Sequence, residues 1–342
     1  MGAVFAAGDT AATVDIFLQQ IINGLTLGSV YAVVALGYTM VYGIVQLINF
    51  AHGEVVMIGA MVALSVIGAL AGAPGLSPLA VVLAGTLCAI PACMATGYLM
   101  ERVAYRPLRQ APRLAPLITA IGISIILQHV AMLVWSRNPL AFPQILDNRV
   151  FHLGGATVSS VQLAIMAVSL LMMGGLTLLV YRTRLGVAMR ATSENPQVAG
   201  LMGIDIDRVI AVTFVIGAAL GAVAGVMVGT YYGIAHYTMG ALLGMKAFSA
   251  AVLGGIGNLA GAMLGGILLG LVEALGTGYI GEATDLCRVD WLAGVLGDRC
   301  AGGGAFVLMG SNYQDVFAFV VLILVLVFRP SGLLGERVGD RA

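Results

Sequence analysis

The stretch that decides the fold is RTRLGVAMRATSENPQVAGLMGIDIDR, residues 182–208, a polar interruption between two apolar runs. The runs at 161–181 and 209–231 are each about as long as the roughly 20 residues that a helix needs to cross a bilayer. Four arginines lie in this segment: Arg182 and Arg208 at its ends, and Arg184 and Arg190 within it. Because arginine near the ends of spans marks the cytoplasmic side, the sequence predicts a cytoplasmic segment between two membrane helices.

The composition of the whole chain is that of an integral membrane protein. Of its 342 residues, 60% are hydrophobic and only 9% are charged, and the mean hydropathy is +1.02. Soluble domains carry about a quarter charged residues, so an ordinary globular protein is excluded. The zero net charge and the single lysine, Lys246, argue against nucleic-acid binding. No basic region precedes the first apolar run, which predicts that this run acts as its own insertion signal.

The apolar runs predict an all-α polytopic membrane protein that forms one transmembrane domain over residues 1–342. A longer apolar stretch, 241–279, is broken at Gly254-Gly255-Ile256-Gly257-Asn258, so it forms either two spans or a re-entrant pair. We therefore expect about eight or nine transmembrane helices. The remaining runs lie at 16–42, 55–71, 79–100, 117–135 and 316–328.

The arginines predict which side of the membrane each loop faces. Segments 102–113, 182–208 and 329–341 are rich in arginine, whereas the N-terminus and residues 72–78 contain no basic residue. Since cytoplasmic loops carry the excess of arginine, we expect the N-terminus outside and the C-terminus inside. The polar segment 281–312 is then an outer loop.

The cysteines and glycines predict packing. Cys88 and Cys93 lie five residues apart in an apolar run and are predicted to be buried on different helix faces. Cys287 and Cys300 bracket the polar loop, where both a disulfide and free thiols remain open. Glycines recur every fourth residue, which predicts close helix packing inside one subunit or between subunits. They are Gly217, Gly221, Gly225 and Gly229, and then Gly257, Gly261 and Gly265.

Motifs for nucleotide, metal or covalent chemistry are missing from the sequence. No phosphate loop occurs, and Lys246 stands in Gly-Met-Lys-Ala, which is not that pattern. The four histidines are scattered, so no metal site, cofactor or enzymatic activity is expected. His129 and Glu273 lie inside predicted spans, where ionisable groups are usually functional. Each is either a single polar group satisfied by a neighbouring helix or part of a proton path.

Segment 182–208 contains the pattern of one short helix. An apolar stripe bounded by arginines would suit a partner's groove, and an inert cytoplasmic loop is the alternative. Residues that favour a helix start come first, and the apolar stripe follows them. A glycine that can end the helix in the left-handed backbone conformation comes last. In that order they are Ser193 as N-cap, Glu194, Asn195 and Pro196 in the first turn, Val198, Leu201 and Met202 as the stripe, and Gly203 as the end.

A second polar cluster, Asn49-Phe50-Ala51-His52-Gly53-Glu54, stands where one apolar run ends and the next begins. A short break of this kind exposes the backbone groups that transporters use where irregular backbone lines a cavity. The alternative is an ordinary turn, in which Asn49 caps and Glu54 favours a helix N-terminus. The residues alone leave both interpretations open.

Across nearly its whole length the chain resembles the permease subunits of binding-protein-dependent ABC importers for branched-chain amino acids, specifically their H-type subunit. It departs from many relatives in the long loop that contains Cys287 and Cys300. Six ordered motifs carry the resemblance: NGL at 23–25 with GS at 28–29 and YA at 31–32, LINFAHGE at 47–54, RPLR at 106–109, ENP at 194–196 followed by GI at 203–204, GGIGN at 254–258, and FRPSGL at 328–333.

The resemblance implies a bacterial inner-membrane subunit that works with a second permease, two cytoplasmic ATPases and a periplasmic solute-binding protein. It assigns the ATPase contact to Arg190, Ser193, Glu194, Asn195, Pro196, Val198, Leu201, Met202 and Gly203. It assigns the substrate pathway to Asn49, Phe50, His52, Gly53, Glu54, Gly257 and Asn258. Since related permeases carry urea or amides, the substrate is less firmly implied than the mechanism. A self-contained secondary transporter or channel for such a small polar solute is the competing hypothesis.

Overall fold

The computed structural model describes residues 2–72, 74–109, 111, 112, 114–153, 155–283 and 313–335, with side chains from residue 14 onward except at 153 and 280–283. Helices dominate this part of the chain. In chain order they are α1 Gly2–Val45, α2 His52–Leu70, α3 Pro78–Met100, a π-helical turn Glu101–Tyr105, α4 Arg106–Leu108, α5 Leu114–Val134, α6 Ser160–Arg182, α7 Arg184–Glu194, α8 Pro196–Leu201, α9 Ile206–Tyr232, α10 Met239–Gly254, α11 Leu259–Ala283 and α12 Gln314–Phe328.

Seven helices in the described part of the chain are long and apolar enough to cross a membrane. Helices α10 and α12 are apolar but shorter. The predicted all-α polytopic fold is therefore confirmed, and the long stretch does break into two helices at the predicted glycines. The seven apolar segments are Val14–Val45, His52–Leu70, Pro78–Leu108, Leu114–Val134, Ser160–Arg182, Ile206–Tyr232 and Leu259–Tyr279.

Helix ends follow local sequence rules where a suitable cap is present. Helix α3 begins after Ser77, whose hydroxyl accepts from the N–H of Ala80 at 3.3 Å. Helix α6 begins with a capping box, in which Ser159 and Gln162 exchange side-chain and backbone hydrogen bonds. Such caps satisfy amide groups that the helix itself leaves without partners.

Helix α1 forms the centre of the bundle, and residues 30–36 on it are almost fully buried. It packs lengthwise against α11, where glycines on both helices let the backbones approach. A Cβ on Gly28 would lie 2.7 Å from the Cα of Ile267, a distance that no side chain tolerates. Because small residues allow such close packing without lipid between the helices, this glycine contact fixes the position of α11.

The predicted glycine stripe on α9 is confirmed as packing within the chain. A Cβ on Gly225 would meet the backbone of α2, including the nitrogen of Ala60 at 2.7 Å, and Gly229 lies against the ring of Phe142. The second series is mixed: Gly261 faces Gly254 closely, whereas a Cβ on Gly257 would meet no atom within 4 Å. Close packing therefore explains the first series and only part of the second.

Within the described residues, four short strands lie in the connections between helices, and the sequence did not predict them. β1 (Leu140–Ala141) pairs antiparallel with β4 (Ile234–Ala235). β2 (Val150–Leu153) pairs with β3 (Ala156–Ser159). The first pair joins the α5–α6 connection to the α9–α10 connection, so both loops lie at the same end of the bundle.

The prediction for the cysteines is half wrong. Cys93 is buried and its thiol donates to the carbonyl of Val55 at 3.3 Å, but Cys88 is exposed. The five-residue spacing does place the two thiols on different faces of α3, and only the face with Cys93 packs against α2. Cys287 and Cys300 lie outside the described residues.

Candidate functional site

The polar segment between α6 and α9 folds as two helices, where the sequence predicted one. Thr183 caps α7 by accepting from the N–H of Gly186 at 3.1 Å, and Asn195 caps α8 by accepting from the N–H of Val198 at 3.1 Å. The prediction of Ser193 as N-cap is wrong. Its hydroxyl donates to the carbonyl of Arg190 at 2.7 Å within the last turn of α7.

The early start at Thr183 explains this difference. Helix α7 runs on through Ser193 to Glu194, so Glu194 ends one helix and does not open the next. Asn195 is the first residue with extended backbone and is therefore free to cap. Pro196 occupies the first helical position of α8, as predicted, where its missing N–H costs no hydrogen bond.

The apolar stripe on α8 is exposed. The exposed fractions are 52% for Val198, 87% for Leu201 and 79% for Met202, whereas Ala199 on the opposite side is 3% exposed. Helix α8 ends at Leu201, and Gly203, with φ +88°, provides the predicted left-handed residue just after it. An exposed apolar cluster at the tip of a polar segment is typical of a protein contact surface.

Arg190 points back toward the membrane helices. Its guanidinium donates to the carbonyl of Val180 in the last turn of α6 and stacks over the ring of Tyr181 at 5.4 Å. A cation at a helix C-terminus is favourable because it meets carbonyls that have no helical partner. Arg190 thus fixes α7 to α6 and is not part of the exposed stripe.

An ion-pair network fixes the other end of the segment. Asp207, in the first turn of α9, pairs with Arg106 and Arg109, and Arg109 also pairs with Glu101 of the π-helical turn. Glu101 is 1% exposed. Helix α8 is therefore connected through short links to α6 on one side and to both α9 and the end of α3 on the other.

The cluster from Asn49 to Glu54 forms a buried joint between helices. The Asn49 side chain accepts from the N–H of Ala51 at 3.1 Å and from the hydroxyl of Tyr105 at 2.9 Å. Glu54 accepts from Ser124 at 3.0 Å and from Gln128 at 2.7 Å, both on α5. These bonds tie the start of α2 to α5 and to the π-helical turn.

Packing completes the joint. The ring of His52 meets that of Tyr38 edge-on at 4.9 Å, and Gly53 crosses α10 so closely that a Cβ would lie 2.9 Å from the Cα of Gly244. Asn49, His52 and Glu54 are each no more than 2% exposed, whereas Phe50 is partly exposed beside Phe248. Ala51 is the N-cap position of α2 and no side chain caps it, so the prediction of Asn49 as the cap is wrong: Asn49 forms a turn one step earlier, on the N–H of Ala51. Glu54 does lie in the first turn of α2, as the same interpretation expected, and the joint contacts α1, α5 and α10.

The break before α11 is held by the C-terminal segment. Asn258 caps α11 by accepting from the N–H of Gly261 at 3.0 Å, and its amide donates to the carbonyl of Leu334 at 2.9 Å. The N–H groups of Leu333 and Leu334 donate to the carbonyls of Leu253 and Gly254, each at 2.9 Å. The tail thus satisfies backbone groups that the end of α10 leaves without partners.

A small cavity of about 80 Å³ lies between this break and helix α7. Gly257 lines it on one side, and Arg190 and Ser193 line it on the other. The structure therefore brings together residues from the two predicted sites, whereas the exposed stripe and the joint of Asn49 to Glu54 remain apart from this cavity.

Sequence reasoning missed a buried charged cluster on α10, α11 and α12. The ammonium of Lys246 lies 2.7 Å from a carboxylate oxygen of Glu273 and 2.6 Å from one of Asp315. The hydroxyl of Tyr31 donates to Glu273 at 3.0 Å. Glu273 thus has partners on neighbouring helices, as one interpretation expected. The available signal was that the chain's single lysine stands in an apolar helix, where a charge needs a partner.

Comparison with known proteins identifies the family. Residues 20–326 match the family described as "Branched-chain amino acid transport system / permease component". The chain belongs to this permease family.

Relatives of this permease match over most of their length. It is 48% identical over 324 residues to "High-affinity branched-chain amino acid transport system permease protein BraD" of Pseudomonas aeruginosa, covering 94% of this chain and 96% of that protein. It is 44% identical to the LivH protein of the same description from Escherichia coli, with the same coverage. A probable LivH of Methanocaldococcus jannaschii is 26% identical, covering 94% of each chain. No solved structure matches the permease.

Proposed function

We propose that this permease is the membrane-spanning subunit of an ABC importer that moves branched-chain or related small aliphatic amino acids across the bacterial inner membrane. The observation that carries the proposal is the family match over residues 20–326. The exposed stripe on α8 supplies the surface that such a subunit needs for its ATPase. The chain itself carries out no covalent reaction, and ATP hydrolysis takes place in partner subunits.

The proposed complex contains a second permease, two cytoplasmic ATPases and a periplasmic solute-binding protein. The coupling loop, residues 182–208, enters a groove on one ATPase with the apolar stripe of α8. When the ATPases close on ATP, α8 moves with them. The Arg190 contact transmits this movement to α6, and the Asp207 network transmits it to the end of α3.

The substrate pathway in this proposal is flanked by the joint of Asn49 to Glu54 and by Gly257 and Asn258 at the break before α11. Both places combine helix ends with close backbone packing. Helix-end dipoles suit the charged groups of a free amino acid, and an apolar wall suits its side chain. The Gly53 crossing and the glycine break supply points at which helices can shift against one another.

The proposed orientation places the N-terminus in the periplasm and the C-terminus in the cytoplasm. Helices α10 and α12 then join the seven long segments to give nine spans. The strand pair β1–β4 then faces the periplasm, where it would meet the solute-binding protein. Of the predicted periplasmic loop 281–312, residues 281–283 continue α11 and residues 284–312 lie outside the described residues. Residues 1–342 form a single permease domain.

The test is transport in vesicles. The permease, co-expressed with the second permease and the ATPases, is expected to copurify with them and to take up leucine only with ATP and the loaded binding protein. A matched complex whose ATPases carry a substituted phosphate-loop lysine is the control and should not transport. Uptake by this chain alone that collapses with a proton ionophore would contradict the proposal and favour a secondary transporter.

A further inference from the structure

A cavity of about 280 Å³ lies beside the buried charged cluster, between α9, α10 and α12. We call it the Lys246 cavity. Lys246, Tyr31 and Asp315 supply its polar wall, and Val228, Met239 and Leu243 supply an apolar wall. Ile234 of β4 also lines it, so in the proposed orientation it lies toward the periplasmic end.

The charges in this wall are more numerous than a structural ion pair requires. The side chains of Lys246 and Glu273 are 8% and 2% exposed, and together they are neutral. Asp315 adds a second carboxylate to the same ammonium at 2.6 Å, yet its side chain remains 36% exposed. Since burying charge is costly unless it is compensated, Glu273 already supplies the compensation that buried Lys246 requires, and the partly exposed carboxylate of Asp315 is additional to it.

The arrangement of these groups matches a zwitterion. An ammonium and a carboxylate stand side by side in the cavity lining. The aliphatic side chains of Met239 and Leu243 lie next to the ammonium, on the same face of α10. A free aliphatic amino acid carries the complementary carboxylate, ammonium and apolar side chain. Sites of this kind are mostly apolar, with a few placed polar groups that fix orientation, and attraction between charges strengthens where water is excluded.

We propose that the Lys246 cavity binds the free aliphatic amino acid as it passes through the permease. The substrate carboxylate takes the place of Asp315 on the Lys246 ammonium, and the substrate ammonium pairs with Asp315. Glu273 keeps its bond to Lys246 and is held by the Tyr31 hydroxyl at 3.0 Å. Negative and positive charges then alternate from Glu273 to Lys246, to the substrate carboxylate and ammonium, and to Asp315. This inference rests on the proposed function and names a substrate site for it outside the joint of Asn49 to Glu54.

The inserted substrate separates Asp315 from Lys246, and Asp315 stands in the first turn of α12. Binding therefore shifts the start of α12 away from α10, while the buried Lys246–Glu273 pair keeps α10 on α11. Lys246 and Asp315 each exchange one partner for the substrate, and the buried pair of Lys246 and Glu273 stays intact.

The test uses the complete complex in nanodiscs, with the four native cysteines replaced. Leu242→Cys places a thiol at the cavity, since Leu242 lines it and is 55% exposed. Met245→Cys is the matched control, because Met245 is 43% exposed on the same helix and does not line the cavity. The rate of maleimide labelling is measured against increasing leucine, 4-methylpentanoate, which lacks the ammonium, and sodium chloride.

Leucine should protect Leu242→Cys and leave Met245→Cys unprotected. Asp315→Asn should raise the half-protecting leucine concentration by about tenfold to a hundredfold, the usual effect of one charged hydrogen bond. The same variant should lower the half-protecting concentration of 4-methylpentanoate, because that molecule has no ammonium to pair with Asp315 and its carboxylate competes with Asp315 for Lys246. Asp315→Glu keeps the charge and should keep leucine protection, which guards against a variant that fails to assemble.

Equal shifts for leucine and 4-methylpentanoate, absent leucine protection, or protection by sodium alone would each overturn the assignment. The last result would make the cluster a cation site. ATP-driven leucine uptake is measured on the same preparations. If the Leu242→Cys complex with Asp315 intact transports leucine and leucine does not protect its thiol, the proposed function stands and only the cavity assignment falls. A complex that neither assembles nor transports leucine would contradict both the proposed function and the cavity assignment.

Discussion

Replacing Leu201 with aspartate should uncouple ATP hydrolysis from transport. Burial of a leucine side chain contributes about 1.5–3 kcal/mol. Leu201 is 87% exposed in the permease, so nearly all of this energy remains available for contact with a partner. At about 1.4 kcal/mol per factor of ten, losing it weakens docking by roughly tenfold to 140-fold, and a buried aspartate adds a desolvation cost.

The fold should hardly change, because substitutions at exposed positions away from special features usually stay within about 0.5 kcal/mol. The assay is leucine uptake per ATP hydrolysed in vesicles that contain the full complex, with permease insertion measured in the same sample. Leu201→Met is the matched control, since it keeps an apolar side chain of similar volume. Uptake by the aspartate variant within twofold of the unsubstituted complex would refute the docking role of α8.

Three further substitutions test other parts of the structure. Gly53→Ala should destabilise the complex by about 1–3 kcal/mol through overpacking against α10, seen as lower thermal stability, whereas Gly68→Ala, with no atom within 4 Å of the added Cβ, should not. Asn258→Ala should remove a cap worth about 0.5–2 kcal/mol and free the carbonyl of Leu334, so chymotrypsin should cut faster after Leu334. Phe50→Cys, beside the proposed pathway, should change its maleimide labelling rate when ATP binds; identical rates with and without ATP would favour a static turn.

Local rules in the sequence were sufficient for the spans and for most helix ends. Hydropathy depends on the composition of each segment alone, so the apolar runs located most of the long helices to within a few residues; α1 is different, since it begins at Gly2 and the predicted run begins at residue 16. The end of α8 just before Gly203 followed from the need for a positive φ, and glycines also located the break before α11. The N-cap was missed because Ser193 and Asn195 are both good caps, and the choice depended on where α7 began.

These local rules could not predict contacts between segments that lie far apart in the sequence. The Lys246–Glu273 and Lys246–Asp315 pairs join three helices, and Asp207 meets Arg106 across 101 residues. A single sequence gives no measure of which loops and helix faces meet. The same limit explains why Cys88 was wrongly predicted to be buried. The spacing of Cys88 and Cys93 places them on different faces of α3 but does not say which face packs against α2.

The bond between Asn258 and Leu334 spans 76 residues of sequence, and it has a consequence for the order in which the permease is built. At about 5–20 residues per second, a ribosome adds the acceptor roughly 4–15 s after the donor. During that interval α10 ends in carbonyls whose final partners have not been synthesised. The junction between α10 and α11 is therefore completed only after residue 334 has been synthesised, later than every helix in the described part of the chain.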